Sequence, residues 1–388
     1  MKGKIVKMDI KIIGSTNVGY KLSKDEALKF AGKSAGICYL PHNTEKLFSE
    51  SEEKTIKRAE NTLKSGHHSV YSHSVYNFVL EGIPKILAMI LNNEKMYNTS
   101  EKSARYTKME STGIEKELYE EWIEIYKEKI KEKYTDFDEK KVLKLAQENA
   151  RGIISVFTPA TTMEYTTDFR QINYIIHWAE DFIENAENTL FNQKLKEVLK
   201  DFINQMPDII IPELNSKTKN RTFSLFAKRD RKEEFGENYS TNYEVSFSEL
   251  AQAQRHRTIY YEMQIKDKAS YYVPKIIQNT DLETKWIKDL SSLENNFPQA
   301  MLVKVNERGT VENFILKCQE RICGAAQLEI MNQTKDTLDK YIENTRNTNK
   351  EVYEYLLPYS KGARCTFPGF KCTAPCVFGG INALNRTI

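Results

Sequence analysis

Gln252-Ala253-Gln254-Arg255-His256-Arg257 sets the reading of this chain, because the segment that would complete it stands far upstream as Ser100-Glu101-Lys102-Ser103-Ala104-Arg105-Tyr106. Two guanidiniums and an imidazole held together form a fork for phosphates or for an electron-rich ring. A bare R-H-R triplet is more often a solvated basic cluster, so its weight comes from what surrounds it. Glu101, Ser103 and Arg105 alternate, which aims all three side chains to one side of an extended segment. A carboxylate, a hydroxyl and a guanidinium so aimed suit a nucleotide monophosphate, with Ser103 and Arg105 on the phosphate.

Working outward from these segments, the second half continues with Val305-Asn306-Glu307-Arg308. It then reaches Arg321-Ile322-Cys323-Gly324-Ala325-Ala326-Gln327-Leu328-Glu329-Ile330. The first half carries Gly66-His67, then His73, a strand-like run containing Asn77-Phe78, Arg151 ahead of Pro159, and Asp168-Phe169-Arg170. Strands, a helix, a loop and a long helix occur twice in that order, which predicts an α+β chain of two related halves. Pro207 to Asn220 holds two prolines in a polar stretch and reads as the linker, giving domains 1–206 and 207–388. Residues 114–157 and 310–341 read as long helices, and 221–227 as a strand.

These motifs resemble the flavin-dependent thymidylate synthases. There one continuous segment carries Q-x-x-R-H-R and then E-x-S-x-R-Y, followed by N-x-R and by R-x5-Q-x-E-I on one helix. The resemblance implies two tandem synthase-like domains, each an antiparallel sheet with long helices. It implies FAD-dependent methylation of deoxyuridine monophosphate to thymidine monophosphate, with methylenetetrahydrofolate as carbon donor and NADPH reducing the flavin. It assigns Glu101, Ser103, Arg105, Arg151, Gln252 and Gln327 to the nucleotide. It assigns His73, Arg170, Arg255, His256, Arg257, Asn306 and Arg308 to the cofactor, and Arg321 with Arg255 to catalysis. Arg321 would polarise the pyrimidine carbonyls as a fixed cation.

Each half departs from that pattern. Where the first half should carry R-H-R it has Asn93-Glu94-Lys95, and Ala179 stands near the place of the later arginine. After Arg257 the nearest stretch to E-x-S-x-R-Y is Lys268-Ala269-Ser270-Tyr271-Tyr272, and Arg151 has no obvious counterpart. The family's homotetramer builds its sites between subunits, so the resemblance implies complementary loss after a fusion. One site type would join Glu101, Ser103 and Arg105 with Gln252, Arg255 and Arg321, and a homodimer would form a pseudo-tetramer. Two rival readings are a related flavin- and folate-dependent enzyme acting on another pyrimidine nucleotide, and a non-catalytic nucleotide- or nucleic-acid-binding protein on the same scaffold.

With 40% hydrophobic and 29% charged residues, the composition is that of a globular protein. A net charge of only +3 argues against nucleic acid as the partner. No apolar run is long enough to span a membrane, and the start alternates rather than forming a signal peptide, so a cytoplasmic location is expected. Cys38 stands alone, whereas Cys318, Cys323, Cys365, Cys372 and Cys376 crowd the last quarter. Cys365-x6-Cys372-x3-Cys376, joined by Cys323, is expected to hold zinc or an iron–sulfur cluster, the plainer alternative being inert thiols.

Overall fold

The computed structural model describes residues 7–16, 22–37, 45–103, 107–214, 221–227, 231–374, 376–378 and 380–388. Two antiparallel four-stranded sheets organise it, with long helices around them. The first sheet comprises β1 (Asp9–Ser15), β2 (Val75–Ile83), β3 (Asn98–Glu101) and β4 (Thr161–Asp168), in the order β1-β2-β4-β3. The second comprises β5 (Glu234–Phe235), β6 (Asn238–Ser246), β7 (Tyr260–Ile265) and β8 (Leu302–Thr310), in the order β5-β6-β8-β7. The strand order is thus the same in both sheets. In β2, Tyr76, Phe78 and Leu80 are buried while Val75, Asn77 and Val79 are less so, the period-two pattern of a half-buried strand.

The connections match as well. A seven-residue helix, Lys85–Leu91 in one half and Phe247–Ala253 in the other, links the second strand to the third, and the third strand begins at the same distance beyond each helix. The last strand of each sheet runs straight into a helix capped by its final residue. Asp168 accepts from the Gln171 amide at 2.8 Å to start Phe169–Asn185, and Thr310 accepts from the Asn313 amide at 3.4 Å to start Val311–Arg321. Aligned on these helices, Asn93-Glu94-Lys95 falls on Arg255-His256-Arg257, and Ala179 falls on Arg321. The same alignment corrects one sequence expectation. Asp168-Phe169-Arg170 corresponds to Thr310-Val311-Glu312, not to Asn306-Glu307-Arg308, which lies four residues earlier on β8.

The chain divides into two units. Met1–Lys102 with Phe157–Ser224 form the first, and Ser103–Val156 with Leu225–Ile388 form the second. The division therefore falls after Ser224 rather than after residue 206. The helices Gly113–Lys133 and Glu139–Ala150, although coded with the first half, pack in the second unit. Their attachment is aromatic. Trp122 meets Trp286 edge-on at 4.7 Å between ring centroids, Tyr126 meets it at 5.7 Å, and the Trp122 indole donates to Asp289 at 2.9 Å. At Gly152 a Cβ would stand 2.9 Å from that of Ala300 and 3.1 Å from Trp286, so only glycine lets the backbone come this near.

Three expected elements differ. The run 114–157 is two helices, broken at Tyr134–Asp138 where Asp138 caps the second through the Lys141 amide at 2.7 Å. The run 310–341 is also two, Val311–Arg321 and Leu328–Thr345, with Gly324 in the break. Residues 221–227 form a short 3-10 turn, Ser224–Phe226, instead of a strand. Tyr239, Phe314, Ile315, Cys318, Ile322, Leu338 and Tyr341 make the core beneath the second sheet, which settles Cys318 as a core residue.

Candidate functional site

The second unit gathers Arg151, Gln252, His256, Arg321 and Gln327 around the break between Val311–Arg321 and Leu328–Thr345. Because Arg321 ends one helix and Gln327 precedes the next, they do not share a helix as the motif suggested. The turn between them folds Gln327 back toward the R-H-R segment. The Gln327 carboxamide oxygen accepts from both the Arg151 guanidinium and the Gln252 carboxamide. Arg321 donates from Nε to His256 Nε2 at 2.7 Å and from Nη2 to the Gln252 carbonyl at 3.2 Å. Its Nη1 has no hydrogen-bond partner among the described residues. Arg151, coded in the first half of the sequence, is thus brought against Gln327 of the second.

The electrostatics follow from burial. His256 has its pKa pushed down to about 2, first by burial and then by the nearby Arg321 and Lys317 cations, so its ring is neutral. A neutral ring accepting at Nε2 carries its proton on Nδ1. Burial lowers the pKa of Arg321 as well. Arg255 and Arg257, flanking the histidine, are exposed. Behind them lies a buried ionic layer that the sequence reading missed. Lys317 and Glu307 are ion-paired at 2.6 Å with no side-chain exposure, and Tyr239 and Tyr243 donate to the same carboxylate at 2.6 and 2.5 Å. A lysine one turn before Arg321 on an otherwise apolar helix face was the available signal.

Glu249, on the helix that leads to Gln252, was missed too. It is fully buried, and both its carboxyl oxygens lack a hydrogen-bond partner among the described residues. Burial raises its pKa from 4.5 to about 8, against the opposing pull of Lys317 and Arg321. Glu329, which accepts from the Ser246 amide at 2.8 Å and hydroxyl at 2.7 Å, is raised by burial to about 7. Between pH 4.5 and 8 the folded chain keeps a proton on Glu249 that the unfolded chain has lost. Stability therefore falls as pH rises through that window, at up to ~1.4 kcal/mol per unit. Glu249→Gln is expected to flatten this slope, leaving the smaller contribution of Glu329; a series of melting temperatures against pH checks it, and an unchanged slope refutes it.

The remaining assigned residues are placed as follows. Glu101 ends β3 with its side chain 3% exposed and ion-paired to Lys85 at 2.6 Å, so its charge is already met within the chain. Ser103 is partly buried just beyond β3, and Arg105 lies outside the described residues. His73 is exposed at the end of a 3-10 turn, whereas its neighbour His68 is buried and bonded to the Tyr174 hydroxyl at 2.8 Å. Arg170 lies over the Tyr174 ring at 5.8 Å. Asn306 donates to Ser240 and Asn242 at 3.0 Å and lines a cleft of about 410 Å³ with Arg231, Glu262 and Lys304. Arg308 stands 3.5 Å from Glu262 and over Tyr260 at 4.8 Å.

The cysteine expectation is corrected. Among the described residues no three His, Cys, Asp or Glu side chains stand close enough to hold a metal ion. Proximity in sequence does not become convergence in space. Cys323 is buried and its sulfur accepts from the Ala325 amide at 3.4 Å, whereas Cys365 and Cys372 are exposed. The Cys365 sulfur takes the Gly380 amide at 2.9 Å, and Cys376 packs over Gly324. Cys38 lies outside the described residues. No described helix is long and apolar enough to cross a membrane.

Residues 22–179 match the family model of the thymidylate synthase complementing protein. That stretch, less than half of the chain, is similar to this family, that of the flavin-dependent thymidylate synthases. The match covers the half that lacks R-H-R and stops before the half that carries it. No curated protein matches the chain. Among solved structures, the UMP/dUMP methylase PolB of Streptomyces cacaoi bound with 5-Br dUMP is 13% identical at a TM-score of 0.33, over 50% of this chain and 88% of that one. The flavin-dependent thymidylate synthase ThyX of Helicobacter pylori, complexed with FAD and dUMP, is 16% identical at a TM-score of 0.31, over 51% and 94%. At these TM-scores the two likenesses carry no argument of their own. The family match and the geometry around Arg321 do.

Proposed function

We propose that this chain converts deoxyuridine monophosphate to thymidine monophosphate, using FAD, methylenetetrahydrofolate as carbon donor and NADPH to reduce the flavin. The observation that supports it most is the meeting of Arg151 with Gln252 and Gln327, beside an Arg321 whose Nη1 is left open. The residues fit an anionic flavin nucleotide: Arg255 and Arg257 are exposed cations on either side of a neutral, half-buried imidazole. When bound, the flavin supplies the hydride. The chain's own part is to bind and orient. Arg151 and Gln327 present donors to the nucleotide, and Arg321 holds a fixed positive charge where the pyrimidine carbonyls gain negative charge. Within this reading the two halves descend from a tandem duplication, and two chains pair so that the segment holding Ser103 and Arg105 completes a site. The matching strand orders and complementary motif losses support that arrangement.

Protein purified without oxygen and loaded with FAD tests the proposal. Flavin bands that bleach with dithionite and then respond to deoxyuridine monophosphate are expected, with thymidylate formed once methylenetetrahydrofolate is added. UMP in place of the deoxynucleotide separates the intended substrate from its ribose analogue. Protein that takes up neither flavin nor nucleotide would overturn the assignment.

A further inference from the structure

We infer that the residue at the centre of the R-H-R position sets the net charge of the guanidinium it meets, and so decides which half of the chain takes an anion. His256 leaves Arg321 cationic, whereas Glu94 cancels Arg221. The inference rests on the proposed function for the ligand's identity, but the two couples stand in the structure independently of it.

In the second half, Arg321 is held by uncharged acceptors, the His256 imidazole at 2.7 Å and the Gln252 carbonyl at 3.2 Å. Two hydrogen bonds fix its orientation and neither removes its charge. A carboxylate would have fixed it as well, but as a neutral pair with little left for an incoming anion. The imidazole stays unprotonated because it is half-buried, with most of its water shell lost, beside two cations.

In the first half, Glu94 occupies the position of His256 and Ala179 that of Arg321. The absent guanidinium is replaced from elsewhere in the same unit. Arg221 donates to Glu94 and lies over the ring of Trp178, the residue before Ala179, at 3.9 Å. The Ser224 amide donates to the other Glu94 oxygen at 2.6 Å, and Asn93 donates to the Ser224 hydroxyl at 2.7 Å. Glu94 has no side-chain exposure. Segment 221–224 therefore closes this copy with a charge-balanced contact: the position held by a neutral histidine beside Arg321 in one half holds a carboxylate clasped by Arg221 in the other.

The test compares deoxyuridine monophosphate binding by FAD-loaded wild type, His256→Gln and His256→Glu, each checked for fold by circular dichroism. His256→Gln keeps a neutral acceptor and is expected to bind within about threefold of wild type. His256→Glu is expected to bind more than tenfold more weakly, with a shallower dependence on salt because one cation has been cancelled. Glu94→Gln, far from this couple in sequence, is expected to leave the nucleotide affinity unchanged and to add one weak site for inorganic phosphate at Arg221. Equal binding by the two His256 variants overturns the inference for the second half. A Glu94→Gln protein without the added phosphate site overturns it for the first, and this arm stands even where His256→Glu does not fold. A wild type that binds no nucleotide instead removes the proposed function.

Discussion

Lys317→Met is expected to destabilise the second unit by ~3–5 kcal/mol, because it leaves the Glu307 carboxylate buried without its cation. Both side chains are fully buried at 2.6 Å, and the Lys317 ammonium also donates to Gln333 at 3.1 Å. Tyr239 and Tyr243 would still donate to Glu307, but two hydroxyls do not supply a charge. Adding Glu307→Gln should recover most of the loss, since an uncharged amide can keep the tyrosines' hydrogen bonds. Urea unfolding followed by tryptophan fluorescence measures both steps, with Trp122 and Trp286 reporting on this unit. A single-variant loss below about 1 kcal/mol would mean that water or a neighbouring cation reaches Glu307 when Lys317 is gone.

The second large effect concerns turnover. Arg321→Met is expected to reduce the rate of thymidylate formation at saturating nucleotide by about 10²–10³, the range found when one preorganised donor at a developing charge is removed. Arg151→Met should act differently. Its guanidinium donates to the Gln327 carboxamide oxygen that Gln252 also reaches, so its loss loosens the nucleotide's seat and raises KM more than it lowers kcat. Steady-state kinetics over a range of nucleotide concentrations separates the two. If Arg321→Met changes KM alone, the residue binds the nucleotide equally before and during reaction and does not polarise it.

Much of this arrangement was legible in the sequence because it rests on local pattern. The R-H-R segment, its replacement by Asn93-Glu94-Lys95 and the place near Ala179 were located by the resemblance to short family motifs, and the helix starts agree with those positions. What failed was what depends on distance. Cys323, Cys365, Cys372 and Cys376 looked like a metal site because they are close in sequence, yet Cys323 points into the core while Cys365 and Cys372 face outward. The clasp of Arg221 on Glu94 spans residues that no period connects. Lys317 and Glu249 are ordinary charged letters until the fold encloses them. The N-x-R pairing slipped by four residues because Asp168-Phe169-Arg170 was matched to that motif, whereas the local task of Asp168 is to cap a helix.

The placement of Ser103–Val156 in the second unit also bears on how the chain comes into being. On the ribosome this helical arm emerges before any part of β6, β8 or the Trp286 helix that will bury Trp122 and Tyr126. Its amphipathic faces must wait while the rest of the first unit, through Ser224, is still being made. Contacts of such long sequence separation close slowly and leave apolar surface open in the interval. Arg151 reaches its place beside Gln327 only at the end of that wait. Assembly of the corner around Arg151 and Gln327 is therefore a late step in folding, and a nascent chain halted after Ser224 would present the arm as bait for chaperones, with its aromatic residues unclaimed.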